Sequence, residues 1–324
     1  MKHWLLGITF FSVIAHGEDV AAQKQKVLEV SGKSQVEARL DQHYADNDNP
    51  KQALDLYLPK QRKSDKPLPV VAYIHGGGWA RGDRLGAASG CIQTARTGDY
   101  AAVAIGYRLT GEASFPAQIH DCKAAIRWIR GHAKELNLDP DKIGVWGSSA
   151  GGHLSSLLGT SGGVKDLEGD LGSFDELSSR VTCVANLCGP EDFNVALMFD
   201  KEGQPIVQDE AVKGLLGGTY VEKPDAATAA SPLTHVSSDD PPFIHFHGTR
   251  DQRVSYKHAE LIHAALQKAG VPSQLVPITD GAHGSVSHPE VRVRAMQFMS
   301  RHLLGVTVEI ATEAIIAEED KREP

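Results

Sequence analysis

The sequence predicts an α/β fold, a mostly parallel central sheet with helices on both faces and a small lid insertion. Three observations carry this. From residue 69 onward, short apolar runs alternate with helix-period segments. The runs lack a polar face, as strands buried on both sides do. Glycine, aspartate and histidine motifs fall where the runs end, the edge at which open α/β sheets gather ligands.

Strands are expected at residues 69–74, 101–105, 143–146, 181–187, 243–246 and 274–278. Between the second and third, Ile119, Cys122, Ile126, Ile129, Ala133 and Leu136 recur at steps of three and four. That is one apolar stripe along a helix of about 20 residues, ended near Asp139-Pro140. A second helix reads from residue 256 to 269 and stops at Gly270. A third reads from about residue 289 to 304, with Pro289 in its first turn and Gly305 past its end. Strand and helix repeated in this order imply parallel pairing.

Two regions break the rhythm. In residues 18–56, a polar stretch at 41–50 precedes Ala53-Leu-Asp-Leu-Tyr-Leu58, whose alternation suits a half-exposed edge hairpin. The polar stretch lacks the Gly and terminal Glu of a usual calcium loop. Residues 190–231, between the fourth and fifth strands, have mixed composition and are expected as a lid over the carboxyl edge of the sheet.

The chain has 324 residues, 41% of them hydrophobic and 23% charged, which suits one domain over 18–324 with a sizeable core. A formal charge of −8 argues against nucleic acid or anionic membrane as a partner, because both require clustered Lys and Arg. Residues 1–17 have the build of a signal peptide: Lys2, an uncharged stretch over 4–15, and small residues at alternate positions before Glu18. A secreted or periplasmic location is therefore expected. The apolar stretch is too short for a stable membrane span, which needs about 20 residues. Nothing in the sequence sets an oligomeric state.

Four cysteines, Cys91, Cys122, Cys183 and Cys188, do not form a disulfide framework for a chain of this length. Cys183 and Cys188 share one run, where an extended chain would hold them roughly 16 Å apart, too far to bridge. Buried free thiols are the expectation, with pairing of Cys91 or Cys122 left open. No CxxC and no close His and Cys pairing points to a metal.

Gly147-Ser-Ser-Ala-Gly151 follows the run at 143–146 directly and opens an apolar segment readable as a helix. A G-x-S-x-G in strand-turn-helix context is a nucleophile elbow, with Ser149 central and Ser148 at the variable position. No Lys follows the glycines, so a phosphate cradle does not fit. A serine needs a base, and the base needs an orienting acid. Asp251 comes just after the run at 243–246, and His283 lies in Gly281-Ala-His-Gly284 after the last run. Asp239, Asp240 and His288 compete, but the first two precede Pro241-Pro242 and the last precedes Pro289, at a loop end and a helix start. His75-Gly-Gly-Gly-Trp79 again follows a run and offers backbone N–H groups for an oxyanion. Gly77, Gly78 and Ala150 are the expected donors, His75 is expected to hold the loop, and Trp79 to wall the acyl pocket.

These motifs, with Gly106-Tyr-Arg-Leu109, Phe115-Pro-Ala, Asp121 and Leu138-Asp-Pro-Asp-Lys-Ile143, resemble the α/β-hydrolase superfamily. More narrowly, they resemble hormone-sensitive-lipase-like carboxylesterases and the related secreted acetyl and feruloyl esterases, over roughly residues 50–304. The resemblance implies a serine esterase without a cofactor, acting on short acyl or aryl esters of small-molecule or oligosaccharide substrates. Residues 18–50 carry no convincing pair of cap helices and the 190–231 insertion is modest, which favours an open cleft and the carbohydrate-ester branch. Arg108 and Asp121, which recur in that family, read as a structural ion pair. An amidase, arylformamidase or peptidase on the same scaffold, or a binding relative without catalysis, are the alternatives.

Overall fold

The computed structural model describes residues 19–198 and 209–317. The expected signal peptide at 1–17 lies outside them, as does the part of the 190–231 insertion at 199–208.

The chain opens with helix α1 (Val20–Lys33), capped by the Asp19 carboxylate, which accepts from the Ala21 N–H at 3.0 Å. Strand β1 (Val36–His43) then pairs antiparallel with β2 (Ala53–Pro59). After β3 (Leu68–Ile74) come α2 (Ala88–Ala95), β4 (Ala101–Ile105), α3 (Ala117–Gly131), α4 (Ala133–Leu136) and β5 (Leu138–Ser148). Next are α5 (Ala150–Thr160), α6 (Lys165–Glu168), β6 (Cys183–Leu187), α7 (Glu210–Leu216) and α8 (Pro224–Ala230). The last part holds β7 (Phe243–Gly248), α9 (Lys257–Lys268), β8 (Ser273–Thr279), α10 (Pro289–Met299) and the short β9 (Ile315–Ile316). All six strands expected from apolar runs are present.

The sheet runs β1-β2-β4-β3-β5-β6-β7-β8-β9, parallel from β4 onward. The chain works outward from β3 to β4, then crosses back to β5 on the other side of β3. That reversal leaves a crevice between the carboxyl ends of β3 and β5. Side chains alternate across the sheet: Val70, Ala72 and Ile74 face α3, α5 and α9, whereas Val71 and Tyr73 face α2 and α10. Burying both faces against helices removes a polar side from the strands, and each fully buried Leu or Ile contributes about 1.5–3 kcal/mol.

Three expectations are corrected. The first segment holds a helix, α1, that the hairpin reading omitted; Ser31 is its one fully buried residue, so its apolar face gives a weak periodic signal. The half-exposed strand is β1, while β2 is buried throughout because β1 and β4 flank it. The long helix ends at Gly131; His132 leaves helical geometry, and its N–H and ring Nδ1 both bond Trp128 O at 3.0 Å. The apolar stripe continues through Ala133 and Leu136, which is why periodicity runs past the break.

All four cysteines are free and buried, with Cys91 on one face of the sheet and Cys122 on the other. Among the described residues no helix is long and apolar enough to cross a membrane.

Candidate active site

Where β5 turns into α5 the backbone has almost no room. A Cβ on Gly147 would stand 2.2 Å from Gly151 O, and one on Gly151 would stand 2.1 Å from Ile74 O. Both glycines of the pentapeptide are required by contact with main chain, which no rotamer change relieves. Ser149 between them adopts φ 54° and ψ −122°, a sparsely populated conformation for a residue with a side chain. Its N–H donates to Leu187 O at 2.8 Å, which pins the turn to β6.

The loop after β7 delivers Asp251. Its Oδ1 accepts from the N–H groups of Arg253 and Val254 at 2.8 and 3.0 Å, so the carboxylate is oriented by its own turn. Its Oδ2 faces His283 Nδ1 at 2.6 Å. A carboxylate can only accept here, so Nδ1 carries the proton and Nε2 is free to take one. Nε2 lies 2.9 Å from Ser149 Oγ. The Asp251 side chain is 0% exposed and that of His283 20%, which leaves the ring reachable and its partner sheltered. Burial pushes the Asp251 carboxyl up, but hydrogen bonds from His247 and His283 outweigh it and hold the group well below the ordinary range. His247 Nε2 donates to Val254 O at 2.9 Å and stands 3.3 Å from Asp251 Oδ2.

The loop after β3 lies against the elbow. A Cβ on Gly76 would meet Ser148 O at 2.8 Å and Ser149 Cβ at 3.4 Å. Gly77, with φ 118°, turns the chain so tightly that a Cβ would stand 2.2 Å from Arg81 O. Among the described residues the N–H groups of Gly77, Gly78 and Ala150 have no protein acceptor. His75 Nδ1 donates to Gly76 O at 2.8 Å, its carbonyl accepts from Tyr107 Oη at 2.9 Å, and its ring stacks on Tyr107 at 4.3 Å. Burial lowers its pKa to about 4, so the ring is neutral near pH 7.

Trp79 is not placed as expected. It is 2% exposed, and its indole turns inward to His153 and Phe193 rather than forming an open pocket wall. With φ 57°, its backbone aims the side chain under the loop. Arg108 and Asp121 do form the structural pair: Arg108 Nη2 reaches Asp121 Oδ1 at 2.8 Å, its backbone N–H reaches Oδ2 at 2.7 Å, and Gln52 Nε2 donates to Oδ1 at 2.7 Å. His288 caps α10, and Asp239 pairs with Arg180. Of the insertion, α7 approaches the loop, with Ala211 Cβ 3.3 Å from where a Cβ on Gly78 would stand. Leu215 O accepts from Phe115 N–H at 2.8 Å.

Sequence reasoning missed Cys188, His247 and His153. Cys188 Sγ lies 4.0 Å from His283 Nε2, and no periodicity joins residues that far apart in the chain. Cys188, Asp251 and His283 bring ligand-type atoms within 4.8 Å of one another. Asp251 and His283 are engaged with each other, and burial holds the Cys188 thiol well above its usual pKa, so this donor set suits proton transfer rather than metal binding.

The BD-FAE family model matches residues 54–266, which include the glycine loop, the elbow and Asp251. LipM of Mycobacterium tuberculosis, a probable carboxylic ester hydrolase, is 33% identical over 211 residues, 64% of this chain and 46% of LipM. The chain spans about half the length of the first curated relatives it matches. Among solved structures, a truncated carbohydrate esterase from gut microbiota aligns with TM-score 0.76 and 28% identity, over 83% of this chain and 96% of that one. A bifunctional GH43-CE protein of Bacteroides eggerthii aligns with TM-score 0.74 and 33% identity, over 82% of this chain and 35% of that one.

Proposed function

The chain belongs to the BD-FAE family within the α/β-hydrolase superfamily, and from that premise we propose that it is a serine carboxylic ester hydrolase acting on short acyl or aryl esters, among them acetyl or feruloyl groups on plant polysaccharide. The observation that carries the reading is the continuous contact Ser149 Oγ to His283 Nε2 at 2.9 Å and His283 Nδ1 to Asp251 Oδ2 at 2.6 Å. Esterase relatives and a carbohydrate esterase neighbour support it.

In this mechanism His283 Nε2 takes the Ser149 proton as Oγ attacks the ester carbonyl. Asp251 stabilises the imidazolium. The carbonyl oxygen gains charge in front of the N–H groups of Gly77, Gly78 and Ala150, held rigid before the reaction begins. His283 then returns the proton to the leaving alcohol, and water activated by the same nitrogen releases the acid from the acyl-enzyme. The insertion, whose α7 stands beside this loop, acts as a modest lid, and residues 1–17 as a signal that directs export.

A panel of acetyl, butyryl, octanoyl and feruloyl esters with acetylated xylan tests the substrate class. Preference for short or aromatic acyl groups is expected, and clear preference for octanoyl contradicts it. Matched ester and anilide substrates test the bond, and faster anilide cleavage assigns the scaffold to amidase chemistry. The mass of the protein recovered from an exporting host tests the signal; an N-terminus still at Met1 opposes it.

A further inference from the structure

His153 stands four residues after Ser149 on α5 and is fully buried. Its N–H donates to Ser149 O at 3.0 Å, so its backbone lies one turn above the elbow. The ring reaches two other parts of the chain. Trp79 Nε1 has a proton to give and no lone pair to accept with, so His153 Nδ1 is the acceptor in that 3.1 Å contact. The Ala230 carbonyl, at the end of α8, can only accept, so His153 Nε2 is the donor in that 2.7 Å contact. Its partners therefore specify a single tautomer. Phe193, from the first arm of the 190–231 insertion, sets an edge against both rings, at 5.7 Å from Trp79 and 4.9 Å from His153.

The loop needs such a hold. Gly78 and Trp79 take positive φ in succession, 59° and 57°, and a bulky residue enters that region only when its surroundings compel it. A buried indole N–H without an acceptor would be costly. His153 supplies that acceptor from the helix that carries Ser149.

We propose that His153 is a positioning residue: by holding the Trp79 indole it sets the glycine loop relative to Ser149, and through Ala230 O it ties that setting to the end of α8. This rests on the reading of Gly77 and Gly78 as oxyanion donors. Such donors work only within a narrow range of the developing charge, and loss of one costs roughly 10²–10³ in kcat in comparable enzymes. A loosened loop is expected to act on the same step, with substrate binding largely spared.

The test separates the two ring nitrogens. Asn at 153 places an oxygen near the Nδ1 position and keeps the acceptor for Trp79; Gln places a nitrogen near Nε2 and keeps the donor to Ala230; Phe fills the space and keeps neither. Turnover of p-nitrophenyl acetate is measured per Ser149 labelled by a fluorophosphonate, so misfolded molecules are not counted. His153→Phe and Trp79→Phe are each expected to lower kcat about 10- to 100-fold with KM within about threefold. The double variant should fall no more than about threefold below either single one, because both break one contact. His153→Asn should retain more kcat than His153→Gln. Multiplying losses in the double variant overturn the proposal. So does His153→Gln matching or exceeding His153→Asn, or a fall in melting temperature with kcat per labelled serine unchanged. If His153→Phe does not fold, the Asn and Gln variants with Trp79→Phe decide. Full activity of Ser149→Ala would instead overturn the esterase reading, a separate result from these ratios.

Discussion

Asp251 and His283 meet at 2.6 Å between Oδ2 and Nδ1, and Asp251 is held from behind by the N–H groups of Arg253 and Val254. The carboxylate is therefore oriented before any substrate arrives. Asp251→Asn keeps the shape but can offer an amide hydrogen to Nδ1, which favours the tautomer with Nε2 protonated and unable to accept from Ser149. kcat on p-nitrophenyl acetate should fall by about 10⁴-fold, and a loss below tenfold would remove Asp251 from the proposed triad.

The same carboxylate makes a pH prediction. Its pKa is lowered in the fold, so its contribution to stability is complete above the ordinary Asp value of about 3.9 and is lost as pH falls toward the folded value. Melting temperature of the wild type should drop more steeply below about pH 4 than that of Asp251→Asn. Parallel curves for the two proteins would contradict the assignment.

The two serines of the elbow should part company. Ser149→Ala removes the proposed nucleophile and is expected to cost about 10⁴–10⁶-fold in kcat and all fluorophosphonate labelling. The hydrogen bond to His283 Nε2 comes from Ser149 Oγ, and Ser148 should tolerate Ala within a few-fold. Equal losses at the two positions would mean the turn matters only as structure.

Three glycines grade the site by the nature of the clash. Gly151→Ala puts a methyl 2.1 Å from Ile74 O, main chain inside the sheet, and should prevent soluble expression. Gly77→Ala combines φ 118° with a 2.2 Å approach to Arg81 O and should fold with kcat about 10²-fold lower. Gly284, beside His283, has nothing within 4 Å, and its Ala variant should melt within about 2 °C of wild type. A tolerated Gly151→Ala would undo the elbow packing described above.

Arg108→Ala should act on stability and spare chemistry. Asp121 is fully buried and loses its guanidinium partner, which costs about 3 kcal/mol by urea unfolding, while kcat per folded molecule stays within about twofold. A large fall in kcat at unchanged stability would place Arg108 in the reaction.

Much of the site was legible in the sequence because its parts are local. The elbow, the glycine loop, Asp251 and His283 each follow a run of β-type residues, and a parallel sheet brings all such ends to one edge. Strand 101–105 is found at its expected bounds because it is buried on both faces and carries no competing period. Helix α1 was missed because most of its surface is in water, and the break at His132 because Ala133 and Leu136 prolong the stripe. Trp79 read as a pocket wall because its place beside the glycines gives no sign of which way a positive-φ backbone aims the side chain.

The sequence by itself determined the succession of the six strands from residue 69 onward, the glycines that leave room for tight turns, and the Ser, Asp, His succession along the chain. Periodicity and steric demand act over a few residues, so they can be read locally. Only the tertiary structure decided that β2 is interior, that Cys188 stands beside His283 and His247 beside Asp251, and that Trp79 is fastened to His153. Those outcomes depend on the crossing from β4 to β5 and on contacts such as His283 to Ser149, 134 residues apart. Such contacts are set by which strands become neighbours, a property of the whole packed sheet that no short stretch of sequence contains.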